Sequence, residues 1–269
     1  MTDRRTFLAI PVVALASAVV AKATSSTPAS AATQQQSPQQ IPQQVPQQIP
    51  QQSPVNVVRS AVRVQPGLPQ LDVHYSRHVP VGVHYVSKDD PATGGCSVHG
   101  TEETEEVDVP AGAGYINLSG VRYDLIQFHF HTPSEHTFNG RHAPLEMHLV
   151  HQDATGRKLV IGVPLVEGAA GEADRILSRL PEECGEPIEV EDFNLRALLP
   201  ANPSTLRYNG SLTTSPYSEG VQWFLTVPKT VTAKSIAGFR SLFPDGDSRP
   251  SQALNGRHLL ADVHWSGHW

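Results

Sequence analysis

The sequence predicts a mostly β (α+β) fold in a single domain, and three observations carry that prediction. Two stretches, Gln127–His131 and Leu145–His151, alternate with period 2, the repeat of a strand whose side chains point to opposite faces. Twenty-three prolines and 20 glycines cut the chain into short apolar runs such as Leu71–Tyr75 and Val81–Val86, the punctuation of a loop-rich β protein. Helical spacing is confined to three brief stretches: Glu172–Leu180, Phe193–Leu199 and Ser235–Phe243. With 39% hydrophobic residues in 269, one sizeable core remains once a leader and a linker are set aside. A formal net charge of −6 argues against nucleic acid as a partner, which calls for a basic surface. No run reaches the roughly 20 apolar residues of a membrane-spanning helix.

Taken in order, Met1–Ala32 reads as an export signal: Arg4-Arg5-Thr6-Phe7-Leu8, an apolar run to Val20, and small residues near Ala29-Ser30-Ala31. The paired arginines before Phe-Leu resemble the twin-arginine address, so the expected location is periplasmic or extracellular, with no membrane association once the signal is removed. Residues 33–52 repeat Gln-Gln-x-Pro, which denies both helix and interior strand and predicts an extended linker. The domain is expected over 53–257. Gly100–Glu106 is a run of glutamates that reads as a solvated loop. Lys158–Glu167 reads as a buried strand, and 258–269 as a C-terminal tail carrying Trp265 and Trp269. Two cysteines, Cys96 and Cys184, remain; an even count in an exported chain suggests a bridge, with two free thiols as the alternative.

The stretch with chemistry in it is the first pair. His129 and His131 share one strand face while Phe128 and Phe130 take the other, which makes a two-imidazole clamp on an apolar backing. Glu146, His148 and Val150 share a face of the second segment, opposite Met147 and Leu149. The connecting residues 132–144 hold Pro133, Asn139, Gly140 and Pro144, as a hairpin with a long loop would. Neighbouring strands lie about 4.8 Å apart, so His148 can complete a three-histidine site. Three nitrogen donors and one open position are the coordination of catalytic zinc. His151 lies on the opposite face from His148 and is not expected to reach the metal.

Gln127-Phe-His-Phe-His131, Ser134-Glu-His136 and Glu146-Met-His-Leu-Val-His151 together resemble an α-class carbonic anhydrase. So do Gln52-Ser-Pro-Val-Asn-Val57, Val107-Asp-Val-Pro-Ala-Gly112, Gly210-Ser-Leu-Thr-Thr-Ser-Pro216 with Val221-Gln-Trp223, and the stretch Arg249–Arg257. The resemblance implies a central twisted, mostly antiparallel sheet with short peripheral helices and zinc at the base of a conical cleft. It implies reversible hydration of carbon dioxide to bicarbonate by zinc-bound hydroxide, with one Zn2+ per chain on His129, His131 and His148, in a monomer or dimer. Gln127 would serve His129, Glu146 would serve His148, and a backbone carbonyl His131. Thr213 would aim the nucleophile, its own proton committed to Glu135. Val150, Val160, Leu212, Val221 and Trp223 would form the substrate wall, with Thr214 nearby.

Two features depart from the family pattern. Glutamines replace the aromatic-rich segment before Gln52-Ser-Pro, and the histidine that passes protons to solvent is missing upstream of Val107. His99 or Glu103 could substitute; otherwise turnover should depend on added buffer. Two rival readings stand beside the enzyme. His129-x-His131-x-x-x-Glu135 also fits a cupin-type oxygenase, which would hold iron, and the two departures suit a non-catalytic binding module on the same scaffold.

Overall fold

The computed structural model describes residues 49–87, 102–182, 185–201 and 204–262. Its strands are β1 (Asn56–Val57), β2 (Val62–Val64), β3 (Asp72–Tyr75), β4 (Val79–Val86), β5 (Thr104–Asp108), β6 (Gly114–Leu118), β7 (Val121–His131) and β8 (Thr137–Phe138). They continue as β9 (Arg141–His142), β10 (Leu145–Gln152), β11 (Lys158–Glu167), β12 (Ile188–Phe193), β13 (Thr205–Ser211), β14 (Glu219–Thr226), β15 (Lys229–Val231) and β16 (Leu259–Ala261). Among the described residues helices are few: α1 (Asp174–Leu177), α2 (Ala233–Leu242) and two 3-10 turns.

One large sheet runs β12-β4-β5-β7-β10-β11-β14-β13-β16-β2, with β6 beside β7, β3 beside β6 and β15 beside β11. It is mostly antiparallel; β11–β14, β11–β15 and β16–β2 are the parallel pairs. The period-2 segments lie at its centre. Their pairing sets His148 opposite His129 and Glu146 opposite His131, while Met147 faces Phe130 and Leu149 faces Phe128 on the other side.

That other side is the main core. Phe128, Phe130, Met147 and Leu149 are fully buried there. Phe128 packs edge-on to Phe130 and stacks on Phe193, and Phe130 meets Phe239 of α2. Burying one such aromatic side chain contributes roughly 1.5–3 kcal/mol, so this face, rather than helix propensity, anchors the short helices. Thr232 caps α2 by accepting from Ser235 N at 3.2 Å. Asp174 of α1 accepts from Thr232 and Ser235, tying the two helices together.

Several expectations are corrected. The acidic run does not stay in solvent: Thr104–Asp108 forms β5 between β4 and β7, and Glu103, Thr104 and Glu105 are buried. Sheet pairing on both sides outweighs the polarity of the run. The helix expected over Glu172–Leu180 shortens to four residues, and Phe193–Leu199 gives a strand end followed by a 3-10 turn, Leu195–Leu198. The segment read as a tail begins inside the sheet: β16 pairs with β13 and β2, and Asp262 accepts from Thr205 N at 2.6 Å. The last linker residues are also held, with Gln52 Nε2 donating to Tyr217 O and Glu219 Oε1. The export signal, the rest of the linker, Cys96, His99, Cys184, Trp265 and Trp269 lie outside the described residues.

Candidate metal centre

Alternation and register bring His129, His131 and His148 to one point. One ring nitrogen from each lies within 4.8 Å of the others, and the ring centroids are 4.8–5.2 Å apart. What suits the three rings to a metal ion is the fate of the second nitrogens. His129 Nδ1 is 2.9 Å from Gln127 Oε1, His131 Nδ1 is 3.4 Å from Asp247 O, and His148 Nε2 is 3.0 Å from Glu146 Oε1. Each of these partners can only accept, so each ring carries its proton on that side and presents a lone pair from the other.

The orientation of Gln127 is itself fixed. Its Nε2 donates to Glu106 Oε2 at 2.6 Å, so Oε1 is left to face His129. Glu146 is more heavily engaged: it accepts from His136 N at 2.8 Å and from His136 Nδ1 at 2.7 Å as well as from His148. His136 Nε2 then meets Tyr208 OH at 2.6 Å, which donates to Ser53 Oγ at 3.0 Å. Burial favours the neutral form of Glu146, but His136 and His148 outweigh it and hold the carboxylate ionised. Gly162, opposite His148, permits this packing, because a Cβ there would lie 2.8 Å from Glu146 Oε1.

Electrostatics point the same way. Burial and the neighbouring rings push His129 well below the ordinary imidazole range, and burial pushes His148 down against Glu146. For His131, burial is overcome by Glu135, Asp247 and Glu146, which raise it. Burial lifts Asp247 to about 7 although His131 opposes it. His131 Nε2, Glu135 Oε2 and Asp247 Oδ2 are buried without a hydrogen-bond partner among the described residues. Glu135 Oε2 lies 3.8 Å from both His131 Nε2 and His148 Nδ1. Orphaned buried groups of this kind are rare and costly; a cation held by the inner ring nitrogens relieves the cost at His131 Nε2, while Asp247 Oδ2 lies on the outer side, 3.6 Å from His131 Nδ1. The residues present therefore fit a divalent metal ion.

A cavity of about 200 Å³ opens over the histidines, lined by Gln127, His129, His148, Val150, Lys158, Val160, Leu212, Thr213, Thr214 and Trp223. Val150 pairs with Val160, and Val160 with Trp223, so three adjacent strands supply the apolar wall. Trp223 is fixed by its Nε1–H to Ser211 O at 2.9 Å. Of the residues expected in the wall, Val221 is buried beside Trp223 but does not line the cavity. Thr213 is buried at the cavity, yet Glu135 Oε1 accepts from Arg249 N at 2.9 Å and Oε2 has no partner, so the expected Thr213–Glu135 hydrogen bond is not formed. Glu103 is fully buried, accepts from Tyr85 OH at 2.9 Å, and does not line the cavity. His151 is buried away from the site between Tyr75 OH and Leu159 O, and burial lowers it to about 4.

Sequence reasoning missed Glu106, Asp247 and Lys158. Glu106 had a signal, since it shares strand parity with Asp108 and is two residues from β5's start; Asp247 had none, being 116 positions from the ring it faces.

The family model for eukaryotic-type carbonic anhydrase matches residues 33–263. A carbonic anhydrase of Klebsiella pneumoniae is 35% identical over 197 residues, covering 71% of this chain and 77% of that protein. The α-carbonic anhydrase of Thermovibrio ammonificans, solved with the inhibitor sulfanilamide, superposes with a TM-score of 0.66 at 34% identity, covering 78% of this chain and 86% of the other. Dioscorin complexed with ascorbate, at 24% identity and a TM-score of 0.61, shares the fold. A sheet of this topology, a three-histidine centre at its middle strands and a sequence match over most of its length make this chain a member of the α-class carbonic anhydrase family and, with that family, an enzyme.

Proposed function

We propose that the chain hydrates carbon dioxide reversibly to bicarbonate, with one zinc ion held by His129, His131 and His148. The observation that carries this is the set of three rings, two buried and His129 half-buried, whose outer nitrogens are all claimed by acceptors and whose inner nitrogens converge beneath an apolar-walled cavity. Zinc bound there supplies a water acidified to a pKa of about 7, a nucleophile at neutral pH.

The remaining work falls to side chains. Carbon dioxide is uncharged and weakly polar, so Val150, Val160, Leu212 and Trp223 offer it a dry surface beside the nucleophile. Thr213 aims the nucleophile by accepting its hydrogen bond. It can do so only if its own proton is held by another acceptor, and Glu135, expected in that role, does not take it in this structure. The Thr213 backbone N–H is left to reach one substrate oxygen. Gln127, Glu146 and the Asp247 carbonyl keep the three rings in the tautomers that ligation requires.

Stopped-flow hydration of carbon dioxide, with zinc measured on the same sample, tests the proposal. The expected result is one zinc per chain and activity that sulfanilamide suppresses, both lost in His131→Ala. Zinc without hydration would favour a binding module on this scaffold. Iron in place of zinc, ligated by Glu135, would favour the oxygenase.

A further inference from the structure

We propose that His84, on β4, carries protons between the cleft and bulk solvent. The inference rests on the hydration reaction proposed above, in which every turnover leaves a proton in a cavity walled by apolar side chains. The structure shows where that proton can go.

Pairing across four strands sets His84 opposite Glu106, Glu106 opposite His129, and His129 opposite His148. All four side chains stand on the cleft face, because the alternating residues Val83, Val107, Phe128 and Leu149 are buried in the main core on the reverse. His84 is therefore two strand spacings from a metal ligand, roughly 10 Å between backbones, a gap that a short chain of waters spans. Its side chain is 31% exposed, so the same ring reaches solvent. Asp108 Oδ2 holds Nδ1 at 3.2 Å, which orients the imidazole and leaves Nε2 as the nitrogen that takes up and releases the proton.

Chemistry selects this residue from its neighbours. Imidazole is the side chain that gains and loses a proton near neutrality. The charged groups facing it from the adjacent strands are Glu106 and Asp108 on β5 and Glu189 on β12, all carboxylates that favour a transient positive charge. Glu106 and Asp108 present oxygens within 4.8 Å of the His84 nitrogen. Glu106 also donates nothing and accepts from Gln127, so it ties the shuttle's wall to the ligand shell without conducting through it. The proton balance is simple: His84 does not itself line the cavity, so a proton leaves the cavity along the intervening waters beside Gln127 and His129, His84 Nε2 takes it up, and His84 passes it to buffer or water outside. With His84 in this role, the loss of the family's usual shuttle position need not make turnover strongly buffer-dependent.

The test compares the zinc-loaded wild type with His84→Ala, His84→Gln and His99→Ala in carbon dioxide hydration at low and high imidazole buffer. In dilute buffer, kcat should fall on the order of 10- to 100-fold in both His84 variants, recover as imidazole is raised, and stay unchanged in His99→Ala. The ratio kcat/KM, which reports attack on carbon dioxide rather than proton export, should not move. Independently of activity, both His84 variants should bind one zinc per chain as the wild type does, because His84 lies outside the three-histidine ligand set. An unchanged kcat in either His84 variant, a loss confined to His99→Ala, a wild type that is itself limited by dilute buffer, or zinc lost from the His84 variants would each overturn the proposal. A zinc-loaded wild type with no hydration in any buffer would instead remove the reaction on which it rests.

Discussion

Glu146 and Glu105 are both fully buried in the same sheet, one on each face, and they meet opposite fates. Glu146, on the cleft face of β10, accepts three hydrogen bonds from His136 and His148 and is held as a carboxylate despite its burial. Glu105, on the core face of β5, has no hydrogen-bond partner for either oxygen among the described residues, and burial lifts it to about 8. Burial alone does not decide ionisation; the partners do. Around the histidines the cleft face carries an ordered polar shell in which Gln127, Glu146 and the Asp247 carbonyl each orient a ring. The core face is apolar packing, and there an acid is an intruder.

If that division holds, changes on the two faces separate stability from metal binding. The largest stability effect belongs to the core. Phe130→Ala removes a ring packed against Phe128 and Phe239, and should lower unfolding free energy by about 3–5 kcal/mol while the folded protein still takes up one zinc. Denaturant titration with parallel zinc analysis checks it. A variant of full stability would mean that Phe130 is not part of the packing that supports the site.

On the other face, Glu146→Gln keeps the shape but discards the charge that anchors His136 and His148. Zinc affinity should fall about 10- to 100-fold, a larger change than any in the melting temperature of the zinc-free protein. Competition against a chelator measures it. Equal affinity in the variant would show that His148 needs no help to present its lone pair, and the contrast between the faces would lose its functional half.

Which of these features was legible in the sequence follows from how local their causes are. Strand pleat depends on nothing distant, so the separation of His129 and His131 from Phe128 and Phe130 could be read directly. So could the strands at Asp72–Tyr75 and Lys158–Glu167. The burial of Glu103 and Glu105 could not, because a row of glutamates resembles a solvated loop until β4 and β7 close on both sides of it. The roles of Tyr208, Ser53 and Asp247 behind the histidines were likewise silent. Tyr208 meets His136 across 72 positions, Asp247 meets His131 across 116, and Ser53 meets Tyr208 across 155, and no local pattern announces pairs so far apart. The strand Leu259–Ala261 failed for a related reason, since three residues are too few for any period to show.

The finest test of the comparison is Glu105 itself. Its folded value of about 8 stands above the 4.5 of an ordinary glutamate, so the native state holds a proton that the unfolded chain releases between those limits. The sign follows. The glutamate costs least below about pH 4.5, where both states are protonated. Stability then declines as pH rises toward 8, by at most about 1.4 kcal/mol per pH unit from this group. Above that the native carboxyl ionises too and the decline from this source stops. Glu105→Leu removes the titration and fills the same space with an apolar side chain, so the variant should be more stable than wild type by about 1–3 kcal/mol at neutral pH. The difference should shrink as pH is lowered and level off above 8. Urea unfolding of both proteins across that range, in chelator so that zinc does not add its own pH dependence, measures the difference directly. A variant less stable than wild type, or a gap that does not change with pH, would mean that Glu105 has a partner in the folded protein and that the core face, like the cleft face, spends its buried charge on a contact.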